Sequence, residues 1–463
     1  MNKTTQMRPF GMRDKIGYAF GDIANDFTFI LSSTFLMKFY TDVMGVSTSV
    51  IGVLMMVARF VDAFTDVTMG RIVDTSKVGK NGKFRPWLLR GSGLVAFASF
   101  LMYASWFRDM GMTFKIVWIF VTYLLWGSVF YTMVNIPYGS MASGITEDPV
   151  QRTQLSTYRT VGATIASLVI SSGVPMIVYY EDAAGNQVFS GTRFTIVALI
   201  FSILAVLCYL VCYFSCTERV KIEPQKRKAN APKNNFVKNV VTNRALLALI
   251  VAAIFLLLSQ LTLSSMAQFV FPNYYKNIPA QSTASLLGSL VTFAVAPFST
   301  PAVRKFGKKE FGTVGCIIAA GSMLVCFLVR PSNVWVFVGF WTLSYLGMAM
   351  FNMVLWAFLA DVIDYGELKN GVREDGTTYS VYSFARKLGQ AASAGLSGGL
   401  LGLIGYTEAT ANDAGVISGI FNVTCLVPAI GFAVVSLVLI FWYPLSKKVV
   451  DENVKKLAER KNK

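Results

Sequence analysis

Long apolar stretches separated by short polar segments recur along the whole chain. About a dozen of these stretches reach roughly 20 residues, the length at which an α-helix crosses the hydrocarbon core of a bilayer. The pattern predicts an all-α membrane protein with twelve transmembrane helices. Their expected starts, by residue number, are 17, 48, 87, 114, 156, 194, 244, 280, 311, 334, 377 and 417.

The longest polar connection lies midway along the chain and divides the predicted helices six and six. It contains Pro224, Pro232 and the basic run 226–228. Four segments are therefore expected: an N-terminal six-helix bundle over 1–215, a cytoplasmic linker over 216–243, a C-terminal six-helix bundle over 244–445 and a basic cytoplasmic tail over 446–463. The halves are faintly similar to each other, and in carriers built from repeats the binding site lies near the midplane between them.

The composition excludes a soluble globular enzyme. Of the 463 residues, 54% are hydrophobic and 14% are charged, whereas a soluble domain has roughly 25% charged residues. The chain has no histidine, so Ser–His and Cys–His nucleophile pairs and histidine metal sites are excluded too. We expect no enzymatic site, cofactor or resident metal. The stripe formed by Cys208, Cys212 and Cys216 is better explained by membrane packing than by a soft-metal site.

The positive charge follows the membrane rather than a nucleic acid. If the N-terminus is cytoplasmic, 31 of the 42 lysines and arginines fall in cytoplasmic segments and five in the opposite loops. This bias is the positive-inside signature, and an even number of spans places both termini in the cytoplasm. We therefore expect a monomer in the cell membrane that contacts lipid and has no nucleic-acid partner.

Charged residues inside spanning helices are costly, so they mark candidate functional sites. The second predicted helix carries Arg59, Asp62 and Asp66 within roughly 60° of one another around the helix axis. Asp26 in the first predicted helix lies roughly 13 Å from its cytoplasmic end. Polar residues of further helices at a comparable depth are Asn135 and Lys387, with Arg159 somewhat shallower. Together these groups predict one polar cavity.

These groups suit two kinds of ligand. Asp62 and Asp66, with the nearby hydroxyl of Thr132, offer hard oxygen ligands for a small cation, or one carboxylate could take up a proton. The other groups suit a polyhydroxylated ligand, because they combine charged and amide hydrogen-bonding groups with aromatic faces. These substrate candidates are Asp26, Asn135, Arg159, Lys387, Tyr138, Tyr379 and Tyr382. The alternative is that Arg59–Asp62 and Lys387–Asp26 are ion pairs that only lock the bundle.

Two loop motifs are candidates for gating on the cytoplasmic side. Arg71, Asp74 and Arg85 lie in a basic, glycine-containing segment after the second predicted helix. Asp361 and Asp364 stand three residues apart at the end of the tenth. Charge pairs formed across neighbouring helices would make a latch that breaks and re-forms. Solvated helix ends are the alternative interpretation.

Seven stretches from both halves carry a family resemblance. They are YAFGDIANDF, FYTDVMGVS, ARFVDAFTDVTMGRIVD, GKFRPW, YTMVNIPYGSMA, ADVIDYGE and TTYSVYSFARKLGQA. The chain resembles the glycoside–pentoside–hexuronide:cation symporter family, which has the major facilitator fold.

The resemblance implies roles for individual residues. It assigns Asp62, Asp66 and Thr132 to the coupling cation. It also assigns a helix 1 aspartate, a helix 5 arginine and a helix 11 lysine to the sugar, and these match Asp26, Arg159 and Lys387. Asn135 and Gly139 stand where the melibiose carrier has aspartate and tryptophan, and this segment is similar instead to the glucuronide and xyloside carriers.

We therefore expect a secondary active transporter that imports a sugar or glycoside by alternating access, driven by an H⁺ or Na⁺ gradient. The absence of a G-x-x-x-x-G-K-[ST] phosphate loop from the sequence agrees with a gradient-driven carrier. The alternatives are a Na⁺-coupled lysolipid carrier of the same fold, a non-transporting sugar sensor, and a membrane enzyme or channel. The lack of histidine disfavours an enzyme, and the confinement of charge to one band disfavours a channel.

Overall fold

The computed structural model describes residues 8–79, 81–220, 241–370 and 375–461. Twelve long helices occupy these ranges: α1 Met12–Asp42, α2 Thr48–Thr75, α3 Arg85–Leu101, α4 Met112–Ile145, α5 149–178, α6 Gly191–Ser215, α7 Arg244–Tyr274, α8 Ile278–Phe306, α9 Lys308–Val329, α10 Val334–Asn370, α11 Asp375–Leu403 and α12 Ala414–Trp442. A polar helix, α13 Lys447–Lys461, follows them. The predicted all-helical class is confirmed, and the largest error in a predicted start is 156 against the observed 149.

Nine of the twelve helices are long and apolar enough to cross a membrane by length and composition, counted over the described ranges. The other three, α1, α2 and α11, carry several charged residues along their length. Many large apolar side chains point outward from the helices, among them Phe64, Phe298 and Leu403, which are 72–83% exposed. Such surfaces are rare on soluble proteins and fit contact with lipid tails.

Four of the long helices contain π-helical turns, in which the backbone hydrogen bond spans five residues. These turns are Leu125–Tyr131 in α4, Val169–Gly173 in α5, Val270–Tyr274 in α7 and Val438–Trp442 in α12. π-Helical turns are frequent at functional sites because the wider turn redirects side chains and carbonyls. The turn in α4 ends directly before Thr132.

A short hairpin joins α5 to α6. Its strands are β1 Tyr179–Glu181 and β2 Gln187–Phe189. The Asp182 carboxylate accepts hydrogen bonds from the backbone N–H groups of Ala184 and Asn186 at 2.9 and 2.8 Å, which orders the turn between the strands.

Contacts divide the chain into two compact units. Unit 1 comprises Met1–Val46, Val57–Tyr180 and Val188–Ala229, and unit 2 comprises Ser47–Met56, Glu181–Gln187 and Asn230–Lys463. The expected linker over 216–243 falls mainly on residues 221–240, outside the described ranges. The four domain boundaries expected from the sequence therefore stay a prediction.

In unit 1, α1 packs against α5 and α6. A Cβ added at Gly162 of α5 would lie 2.5 Å from the carbonyl oxygen of Ala19 in α1, so only glycine lets these helices approach this closely. Arg159 precedes Gly162 by one turn, and Asp22 follows Ala19 by one turn. The close approach therefore brings these two side chains together.

In unit 2, α7 packs against α11 and α12, and α9 packs against α10 and α12. The core of this unit is apolar and includes Leu249, Phe358 and Phe432, all fully buried. Gly315 and Gly347 allow α9 and α10 to touch, since a Cβ on either would lie 2.5 Å or less from the carbonyl oxygen of the other.

Candidate functional site

Two carboxylates of α2 face the π-helical turn of α4. The hydroxyl of Thr132 donates to Oδ1 of Asp66 at 2.8 Å, and the hydroxyl of Ser128 donates to Oδ1 of Asp62. The Thr132 oxygen also lies 3.2 Å from the carbonyl oxygen of Gly127. The structure thus brings together Asp62, Asp66 and Thr132, the three residues expected to serve a cation.

The π-helical turn supplies two groups that the sequence reasoning missed. These are the hydroxyl of Ser128 and the carbonyl of Gly127, and a Cβ on Gly127 would lie only 3.5 Å from Oδ1 of Asp62. Ser128 stands four residues before Thr132 and so on the same helical face, a signal that could have revealed it. We call the five residues Asp62, Asp66, Gly127, Ser128 and Thr132 the oxygen cluster.

Arg59 lies beside the oxygen cluster. Its Nη1 lies 3.2 Å from Oδ2 of Asp62, and its side chain is 11% exposed. The guanidinium lies 5.3 Å from the ring centre of Phe29 and 6.0 Å from that of Tyr123. The ion pair between Arg59 and Asp62 that the sequence suggested is therefore present. Asp62 belongs both to this ion pair and to the oxygen cluster.

A second polar group in unit 1 centres on Arg159. Its Nε lies 2.8 Å from Oδ1 of Asp22, and its guanidinium covers the ring of Tyr138 at 5.3 Å. Tyr138 is fully buried, stacks on Tyr18 at 4.7 Å and donates its hydroxyl to the Tyr18 carbonyl. In this structure, Tyr138 packs against the Arg159 guanidinium and Asp22 is the ion-pair partner of Arg159.

The remaining substrate candidates lie in both units. Asp26 is partly buried one turn beyond Asp22 on α1, and Asn135 is partly buried on α4 one turn beyond Thr132. In unit 2, Tyr382 is buried in the apolar core and Lys387 is partly buried on α11. The side chain of Tyr379 lies outside the described residues. Sugar contacts by any of these residues stay a prediction.

Residues 17–447 match a family model described as MFS/sugar transport protein. The chain belongs to the glycoside–pentoside–hexuronide:cation symporter family. The symporter YjmB of Bacillus subtilis (strain 168), which is described as uncharacterized, is 32% identical over 451 residues, or 97% of this chain and 96% of that protein. The glucuronide carrier protein homolog of Escherichia coli (strain K12) is 32% identical over 452 residues, with the same shares of the two chains covered.

The fold of this symporter is also found among solved structures. A bacterial homologue of the human lysosomal transporter Spinster has a TM-score of 0.65, with 96% of this chain and 97% of that chain covered. At 11% identity this likeness concerns the fold only. The predicted family and major facilitator fold are confirmed, and the protein is a multi-pass membrane carrier for secondary sugar transport.

The loop between α2 and α3 of the symporter is held by the last turn of α6 and by Glu218, which follows α6. The Glu218 carboxylate accepts hydrogen bonds from the backbone N–H groups of Lys83, Phe84 and Arg85 at 2.7–2.9 Å. The Arg85 guanidinium donates to the Tyr213 carbonyl at 2.6 and 2.9 Å. These contacts lie within unit 1.

The other four residues expected to act in gating are Arg71 and Asp74 in unit 1 and Asp361 and Asp364 in unit 2. Arg71 is exposed, and the side chain of Asp74 lies outside the described residues. In unit 2, Oδ1 of Asp361 lies 2.6 Å from Nζ of Lys308, while Asp364 is partly buried. A gating role for all five residues stays a prediction.

Proposed function

We propose that this symporter imports a glycoside, such as a xyloside or glucuronide, across the plasma membrane together with one monovalent cation, H⁺ or Na⁺. The observation that carries the proposal is the oxygen cluster, where two carboxylates, two hydroxyls and a carbonyl converge between α2 and α4. Oxygen ligands of this kind suit small hard cations. The match to the MFS/sugar transport protein family and the similarity to the glucuronide carrier protein homolog support a sugar cargo.

The charge of the oxygen cluster supports a single coupling ion. With Asp62 and Asp66 ionised and Arg59 positive, the group carries one net negative charge. One Na⁺ or one proton neutralises it, which lowers the cost of keeping charge in a medium of low dielectric constant. A change of this kind would permit α2 to move once the ion is bound.

The Arg159 group in unit 1 would bind the sugar. Lys387 stays a sugar-binding candidate through the family resemblance alone, and Tyr382 is buried in the apolar core. Arg159 keeps 41% of its side chain exposed while its Nε is held by Asp22, so further guanidinium N–H groups are available to sugar hydroxyls or to a uronate carboxylate. Asp26 and Asn135 add acceptors and an amide donor. Asn135 in place of an aspartate removes one negative charge and so favours acceptance of an anionic glycoside.

The basic loops support an orientation with both termini in the cytoplasm. We propose that the carrier works by alternating access as a monomer surrounded by lipid. We propose no cofactor and no bound metal other than the coupling ion.

The test is uptake of labelled glycosides into vesicles with an imposed pH or Na⁺ gradient. Asp62→Asn should abolish gradient-driven accumulation and leave some sugar binding, whereas Asp26→Asn should weaken sugar binding itself. Asp109→Asn is a matched control, because Asp109 is an exposed residue whose partner is its neighbour Arg108. If both variants accumulate sugar like the parent, the assignment of these residues is wrong.

The same vesicles separate the alternative functions. Gradient-independent glycoside flux in the parent would indicate a facilitator, and binding without flux would indicate a sensor. Na⁺-dependent uptake of a labelled lysolipid, with no glycoside uptake, would indicate the lysolipid carrier.

A further inference from the structure

Four hydroxyl-bearing side chains are buried together in unit 1. We call them the hydroxyl cluster: Ser32 and Tyr40 on α1, Tyr103 just beyond the end of α3, and Tyr123 on α4. Each is at most 1% exposed. Within the described part of the chain, none of the four hydroxyl oxygens has a direct hydrogen-bond partner.

The members of the hydroxyl cluster are neighbours. Ser32 lies beside the hydroxyls of both Tyr103 and Tyr123, and Tyr40 lies within electrostatic reach of both tyrosines. The four groups come from two helices and one turn that the fold brings together, so no local pattern in the sequence joins them.

The hydroxyl cluster also adjoins the oxygen cluster. The ring of Tyr123 lies 6.0 Å from the Arg59 guanidinium, and Arg59 is the ion-pair partner of Asp62. One aromatic ring and one guanidinium therefore connect the buried hydroxyls with a carboxylate proposed to bind the coupling ion.

Buried hydroxyls need hydrogen-bond partners. Burying a hydroxyl without a hydrogen-bond partner costs free energy, so native proteins rarely leave such groups unpaired. Ordered internal water is the usual remedy where two to four polar groups surround one space. Four hydroxyls, each able to donate and accept, supply that number.

We propose that the hydroxyl cluster is an internal water-binding site beside Arg59. Ordered water there would accept hydrogen bonds from the four buried hydroxyls and donate hydrogen bonds to them.

X-ray radiolytic footprinting of the full chain in lipid nanodiscs tests the site without sugar. X-rays convert bound water to hydroxyl radicals, which oxidise the side chains next to it. Tyr103 and Tyr123 should be oxidised at least fivefold faster than Tyr138 and Tyr209, which are equally buried but donate their hydroxyls directly to a protein oxygen. Equal, slow oxidation of all four tyrosines would overturn the proposal.

A pair of adjacent serines supplies matched variants. Ser32→Ala removes a member of the hydroxyl cluster and should lower the oxidation of Tyr103 and Tyr123 at least threefold. Ser33→Ala removes a hydroxyl that donates to the Ile30 carbonyl on the same helix and should leave both rates unchanged. An equal effect of the two variants would overturn the assignment of the water to this site.

Discussion

Asp62 is held from two directions by chemically different groups. Ser128 donates a hydroxyl hydrogen bond to Oδ1, and Arg59 places a guanidinium nitrogen 3.2 Å from Oδ2. The Asp62 side chain is 7% exposed, so bulk water contributes little to its orientation. A carboxylate positioned in advance binds a cation at a smaller entropic cost than one that must first be ordered.

Ser128→Ala should weaken binding of the coupling cation at Asp62. Loss of one hydrogen bond to a charged group costs about 1.5 kcal/mol, which corresponds to roughly a tenfold change in cation affinity. The measurement is the Na⁺ concentration or pH that gives half-maximal glycoside uptake. Ser143→Ala on the same helix is the control, since the Ser143 hydroxyl donates to the Ser140 carbonyl. A midpoint unchanged in Ser128→Ala would remove Ser128 from the site.

At the scale of elements, α3 depends on a distant residue for its N-terminal cap. Helix N-termini leave backbone N–H groups without intrahelical partners, and the residue before α3, Phe84, makes no side-chain cap. Glu218, more than 130 residues away, caps the helix by accepting hydrogen bonds from three backbone N–H groups. A carboxylate at this position also interacts favourably with the helix dipole.

Glu218→Gln should lower the thermal stability of the purified carrier by several degrees, because a charge-assisted cap is worth about 1–2 kcal/mol. Gly82→Ala should act at the same point, since Gly82 has φ +97° and an added Cβ would lie 2.5 Å from the Glu218 carboxyl carbon. The double variant should lose less than the sum of the two single losses. Exposed Glu147→Gln is the control, and full additivity would contradict this account.

The stability of the hairpin turn between α5 and α6 depends on pH through the Asp182 carboxyl group. Hydrogen bonds from the backbone N–H of Asn186 and then of Ala184 hold the pKa of the Asp182 carboxyl below its ordinary value. Since the folded pKa is depressed, the stabilisation is fully present above the unfolded value of about 4 and is lost as pH falls through the folded pKa. Between pH 7 and pH 5 the turn should therefore not change.

Hydrogen–deuterium exchange, corrected for intrinsic rates, checks this behaviour. Protection of the Ala184 and Asn186 amides should be constant from pH 7 to pH 5 in the parent and reduced at both values in Asp182→Asn, which mimics the protonated acid. Glu181→Gln should leave protection unchanged. Equal protection in Asp182→Asn and the parent would show that the carboxylate does not order the turn.

At the scale of the whole molecule, the distribution of basic residues predicts which loops face the cytoplasm. Ala183→Cys, in the exposed turn of the hairpin, should react with a membrane-impermeant maleimide added to intact cells. Thr75→Cys, at the exposed end of α2, should react only after the membrane is permeabilised. All six native cysteines are buried, so their background labelling should be small. The reverse pattern would invert the proposed orientation.

The sequence by itself determined the helices, the family and the set of acids and bases worth testing. Helices at 48, 244 and 334 begin where the apolar pattern predicts them. This was possible because a membrane span must satisfy its own backbone hydrogen bonds and cover itself with apolar side chains, so its signal is local and continuous.

The tertiary structure decided which of those side chains are partners. Ser128 and Asp62 are 66 residues apart, Arg159 and Asp22 are 137 apart, and the hydroxyl cluster draws on three separate segments. Hydrophobic periodicity shows only which face of a helix is apolar, whereas partners also depend on how closely and at which rotation two helices pack. In this protein, glycines at helix contacts and a π-helical turn determine the distance and rotation at which neighbouring helices pack. Those effects can be seen only when the neighbouring helix is in place.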